Sequence, residues 1–217
     1  PTRGDGKILV SSPADPNLLI AAADEGVFRS EDFGETWTAV AGPKNLFPPS
    51  DLLFDRSNPN RVWLCVVGWE REKTRGLFIS EDAGRTFTRL IDRSPSEMLQ
   101  DPVDPSVLYG LIDSRPHRSR DLGKTWQPID EALPKKAGAR DDGTYAAMTS
   151  TSSGDVILAG HGGHFYVLDR SADTWRKIER GKVDEGAWWG RMRPGMYNHF
   201  GSALGYILGG QVTALTG

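Results

Sequence analysis

The chain has 217 residues, 38% hydrophobic and 25% charged, with a formal net charge of −3. That apolar mass suits a packed domain, while the slight acidity argues against a broad nucleic-acid footprint and no apolar run reaches the ~18 residues of a membrane span. One cysteine, Cys65, excludes an intrachain disulfide and a thiolate zinc cluster, and 25 glycines with 14 prolines point to many short strands joined by tight turns.

In chain order, the first unit opens with a turn signal, Asp15-Pro16-Asn17, before an apolar strand at 18–22. A short loop, Asp24-Glu25, leads to a second strand at 27–30, which runs into Ser30-Glu31-Asp32-Phe33-Gly34-Glu35-Thr36-Trp37. The second unit repeats the order: Asn58-Pro59-Asn60, a strand at 61–67, a charged loop at 69–75, a strand at 77–80, then Ser80-Glu81-Asp82-Ala83-Gly84-Arg85-Thr86-Phe87. The third has Asp104-Pro105-Ser106, strands at 107–112 and 116–119, and Ser119-Arg120-Asp121-Leu122-Gly123-Lys124-Thr125-Trp126. In the fourth, Ser152-Ser153-Gly154 replaces the first turn, and a worn copy at 168–175 keeps only Thr174-Trp175 and has Arg170 where Asp is expected.

The recurring pattern is Ser-x-Asp-x-Gly-x-Thr-aromatic, and its chemistry is structural. The carboxylate accepts N–H groups of its own turn, glycine takes a positive φ, and the Thr hydroxyl bonds back across the turn. The aromatic residue opens the next strand and supplies buried area. The structural set is therefore Ser30, Asp32, Gly34 and Trp37; Ser80, Asp82, Gly84 and Phe87; and Ser119, Asp121, Gly123 and Trp126. Each unit reads as a four-stranded antiparallel meander, and such a meander repeated every ~40–50 residues is a propeller blade. The fold class is all-β, a β-propeller with blades at about 5–42, 50–92, 96–130 and 143–180 and a partial blade or arm at 181–217. The whole is one propeller domain or a fragment of one. Missing blades would come from the rest of a longer chain or from another subunit.

These residues resemble the Asp-box, or bacterial neuraminidase repeat, superfamily, over roughly residues 7–180. Its members include sialidases, xyloglucan-hydrolysing propeller enzymes, the sortilin receptor domain and the photosystem II assembly factor. The run from Asp15 to Gly34 looks most like the xyloglucanase and assembly-factor branches. The resemblance implies a location outside the cytoplasm. It also puts Asp24 at the position of a xyloglucanase catalytic Asp, although that family's partner Asp belongs to a second propeller.

Meander topology places the Asp boxes on one face and the loops between second and third strands on the opposite face, where ring-shaped folds bind. Three acids there, Asp24, Glu70 and Asp113, are candidates for paired-carboxylate catalysis. Glu25, Trp69, Arg71, Arg75, Arg115, His161 and His164 are binding-face candidates. His161 and His164 flank a Gly-Gly turn with no third ligand nearby, so no metal and no cofactor is expected. Three functions stay open: a non-catalytic scaffold binding a protein partner, a glycoside hydrolase or part of one, and a carbohydrate-binding module acting on a polysaccharide. The first is favoured because no catalytic constellation stands out.

Overall fold

The computed structural model describes residues 8–43, 49–67, 75–134, 145–160 and 164–178. The described residues form four separate antiparallel sheets of four strands and no helix. The first sheet is β1 (Ile8–Ser11), β2 (Leu19–Ala23), β3 (Gly26–Ser30) and β4 (Thr38–Ala39). The second is β5 (Pro49–Phe54), β6 (Val62–Val66), β7 (Gly76–Ser80) and β8 (Thr88–Ile91), and the third is β9 (Met98–Gln100), β10 (Leu108–Ile112), β11 (Arg115–Ser119) and β12 (Gln127–Pro128). The fourth is β13 (Tyr145–Ser150), β14 (Val156–Gly160), β15 (His164–Asp169) and β16 (Thr174–Lys177). Within each sheet the strands pair in chain order, the meander of a propeller blade. The chain divides into two compact units, residues 1–128 with three blades and 129–217 with the fourth.

In the first unit the leading strands of successive blades are neighbours, β1 beside β5 and β5 beside β9. Blades therefore stack face on face, and a middle blade is covered on both sides. This explains why β6 is buried at every position instead of alternating. Val62, Leu64 and Val66 face the first blade, in a core with Leu18, Ile20, Phe78 and Phe87. Trp63 and Cys65 face the third, with Leu77, Met98 and Leu108.

The Asp boxes are turns tied by their own side chains, and in the first two the residue before the glycine also donates its N–H to Asn17 O or Asn60 O. In the second box Ser80 donates to Asp82 Oδ1 (2.7 Å) and accepts Gly84 N–H (2.9 Å). Asp82 also accepts Thr86 N–H (2.9 Å) and the Thr86 hydroxyl (2.6 Å). The first and third boxes repeat these bonds. The Thr36 hydroxyl bond, with further N–H and hydroxyl donors, lowers the Asp32 carboxyl to about 2. Gly34, Gly84 and Gly123 have φ of 91°, 78° and 90°. The residue before each glycine, Phe33, Ala83 or Leu122, is also left-handed, which the sequence pattern does not reveal.

Two expectations need correction. The box aromatic is not uniformly buried: Phe87 is, Trp126 is half-buried and Trp37 is exposed. The strand after the first box starts at Thr38, one residue beyond Trp37. The worn fourth copy is a different turn, a hairpin in which Asp169 pairs with Thr174 and Asp173 takes the left-handed conformation. There Asp169 Oδ1 accepts the Ser171 N–H (2.9 Å) and hydroxyl (2.6 Å). Trp175 keeps its place in the core, and its Nε1–H donates to Ile129 O (2.7 Å).

Candidate functional site

The candidate site is the end of the blades opposite the Asp boxes, where second strands turn into third strands. In the first blade residues 24 and 25 form a two-residue turn between Ala23 and Gly26, which pair. In the third, Asp113 and Ser114 form the same minimal loop between Ile112 and Arg115, with φ of 52° and 58°. Two left-handed residues make the type I′ turn that matches strand twist, and Asp tolerates that conformation better than most side chains. Asp113 thus has a conformational reason to be there, independent of chemistry.

Its carboxylate is also occupied, by an ion pair with Arg93 from the segment between β8 and β9. Asp24 differs: its Oδ1 is buried with no hydrogen-bond partner among the described residues. Asp24 and Asp113 lie on the first and third blades, with the second between them. Glu25 is exposed and Arg115 half-buried at these turns, and half-buried Arg75 precedes β7 of the second blade; in the second unit, half-buried His164 opens β15. Glu70, Trp69, Arg71 and His161 lie outside the described residues. Among the described residues, no group of three His, Cys, Asp or Glu is placed to hold a metal, and no helix is long and apolar enough to cross a membrane.

One acid went unnoticed in the sequence. Asp51, on β5, accepts Leu52 N–H on Oδ1 (2.8 Å) and Met98 N–H on Oδ2 (2.6 Å). The second bond ties the leading strands of the second and third blades together. Burial pushes the Asp51 carboxyl up to about 6. Cys65, its register partner on β6, is fully buried, and burial with the Asp51 charge raises its thiol. An Asp directly ahead of the apolar residues 52–54 was the available signal.

Asp51 sets a pH dependence. Its folded-state pKa lies above the unfolded value, so the folded protein binds this proton more tightly and stability falls as pH rises from about 4 through about 6. Relative to Asp51→Asn, the wild type should lose up to about 3 kcal/mol between pH 4 and pH 7. Urea unfolding of both proteins across that range checks this, and a pH-independent gap would refute it.

On the Asp-box side two arginines converge on one acid. Glu31 accepts from both Arg29 (2.6 Å) and Arg85 (2.9 Å), bridging the first two blades around an open crevice that Asp32 and Thr36 also line.

Comparison with known proteins fits this architecture. The BNR-Asp box repeat model matches residues 27–40. A probable oligoxyloglucan-reducing end-specific xyloglucanase of Neosartorya fischeri is 27% identical over 190 residues, covering 78% of this chain and 23% of that protein. The oligoxyloglucan-reducing end-specific xyloglucanase of Emericella nidulans is 24% identical over the same shares. The chain therefore spans about a quarter of the length of these curated relatives. Among solved structures, the GH74 xyloglucanase from Xanthomonas campestris superposes with a TM-score of 0.66 at 18% identity, over 86% of this chain and 32% of that one. YCF48 from Cyanidioschyzon merolae gives 0.58 at 16% identity, over 84% and 59%. At these identities the structures share the propeller fold. The chain carries Asp-box repeats on propeller blades and is similar in sequence to xyloglucanases.

Proposed function

We propose that this propeller section is a non-catalytic binding scaffold that engages a protein partner outside the cytoplasm, through the face opposite its Asp boxes. What supports the reading is the state of the two described acids there, Asp24 and Asp113. Glycoside hydrolysis needs two carboxyl groups about 5–9.5 Å apart across a groove. Asp113 is instead neutralised by Arg93, and Asp24 sits on a two-residue turn two blades away. The two described turns of this end, at 24–25 and 113–114, are two residues long and carry acids beside Arg93 and Arg115, a mixed-charge arrangement that suits docking.

A second reading, glycan hydrolysis or part of it, is favoured by one feature. The buried Asp24 Oδ1 has no described partner, and two curated relatives act on xyloglucan by name. The test is to incubate the protein and Asp24→Asn with xyloglucan oligosaccharides, and to titrate the same sugars by calorimetry. The scaffold reading expects neither cleavage nor heat. It also expects displayed peptides selected on the protein to lose binding in the Arg93→Ala, Asp113→Ala double variant. Cleavage abolished by Asp24→Asn would install the hydrolase instead, and binding without cleavage a carbohydrate-binding module.

A further inference from the structure

Two arginines on the Asp-box side are anchored without help from an acid. Arg29, the residue before the first box, donates Nε–H to Ala83 O of the second blade (2.9 Å), and its side chain is only 12% exposed. Arg85, inside the second box, donates Nη1–H to Asp82 O (3.3 Å). Both anchors are backbone carbonyls of one turn, so the two guanidinium groups form a fork at the seam between the first and second blades. Its open ends meet at Glu31: Arg29 Nη1 lies 2.6 Å and Arg85 Nη2 2.9 Å from Oε1.

Glu31 uses this fork poorly. Both arginines donate to the same oxygen, and Oε2 takes no bond from a described residue. Guanidinium–carboxylate contacts are strongest when both carboxylate oxygens accept. Glu31 is also 62% exposed, and ion pairs of so exposed a side chain are weak. Nor does blade docking require the bridge. At the next seam Ile79 stands in the place of Arg29 and Lys124 in that of Arg85, and Glu81 turns to Arg61 of its own blade (2.9 Å).

Beside the fork lies an open crevice of about 490 Å³, lined also by Thr36, Thr38, Ala39 and Val40. Asp32 borders it, but its two oxygens are taken by Ser30 and Thr36. Short aliphatic and hydroxyl side chains suit a peptide, and no aromatic ring lines the crevice to stack on a sugar.

We propose that this fork receives a carboxylate of a protein partner, an acidic side chain on an extended segment, and that Glu31 is a resident stand-in which the incoming group displaces. The incoming carboxylate gives one oxygen to each arginine, and its aliphatic stem rests on Ala39 and Val40. The site lies at the opposite end of the blades from the docking face argued above, so it stands or falls independently of that reading.

The test is calorimetric titration of the protein, at low ionic strength, with a blocked tetraglutamate peptide and with blocked tetraglutamine. Only the acidic peptide should bind. Glu31→Gln removes the resident competitor and should tighten binding about 10-fold. Glu35→Gln removes the same charge from an exposed position of the same box outside the crevice, and should leave affinity unchanged. Arg85→Ala truncates a side chain that is 59% exposed and should weaken binding by about 10-fold or more. No binding of tetraglutamate to either the wild type or Glu31→Gln would overturn the proposal, as would an equal gain from Glu35→Gln or undiminished binding to Arg85→Ala. Tighter binding of trigalacturonate than of tetraglutamate would overturn it too, by assigning the fork to an acidic polysaccharide.

Discussion

Replacing Trp63 with alanine is expected to cost about 4 kcal/mol of folding free energy, the largest effect of any single truncation in the first unit. Trp63 is fully buried on the second blade and packs against Cys65, Leu77, Met98 and Leu108 at the junction with the third. Its removal opens a cavity between two sheets whose backbones are fixed by their own ladders, so collapse is limited. It also leaves the Leu122 carbonyl without the indole N–H. Trp63→Phe separates the two losses: it keeps most of the ring and should cost about 1–2 kcal/mol, mostly the lost hydrogen bond and residual volume. Urea unfolding of the three proteins decides the matter, and a cost under about 1.5 kcal/mol for Trp63→Ala would mean the inter-blade core is far looser than described.

Substitution of Gly84 by alanine should be the most damaging change among the box glycines of the first two blades. Gly34→Ala and Gly84→Ala pay a similar conformational penalty, since both residues have left-handed φ, of 91° and 78°. Only at Gly84 does the new methyl meet the neighbouring blade, overlapping Ile20 Cδ1 and lying 3.1 Å from Cγ1. Ile20 is fully buried and has little room to turn aside. Gly84→Ala should therefore cost about 2 kcal/mol more than Gly34→Ala. Ile20→Val removes the overlapping carbon, so in a double-mutant cycle it should recover part of the loss. Equal costs at the two glycines, or no coupling to Ile20, would show that the blades do not dock through this slot.

Much of the fold was legible because the Asp box encodes a local event. Ser80, Asp82, Gly84 and Thr86 satisfy one another within seven residues, so the centre of the turn is built locally and leaves a regular trace in the sequence. The four-strand meander follows, since each strand pairs with its chain neighbour. The candidate site was less legible. Asp24 and Asp113 occupy similar loops in the sequence, yet one has a buried oxygen with no partner among the described residues and the other an ion pair with Arg93, twenty residues away. Asp51 was overlooked because its partner Met98 N–H belongs to the next blade, which no local pattern indicates.

The same division accounts for the aromatic residues. By itself the sequence determined the turns, the strand order and the blade repeat, since these rest on bonds between residues close in the chain. Tertiary structure alone decided that Phe87 is core while Trp37, in the same place in the same motif, faces outward. Burial is conferred by the neighbouring blade, and the motif records only the blade to which it belongs.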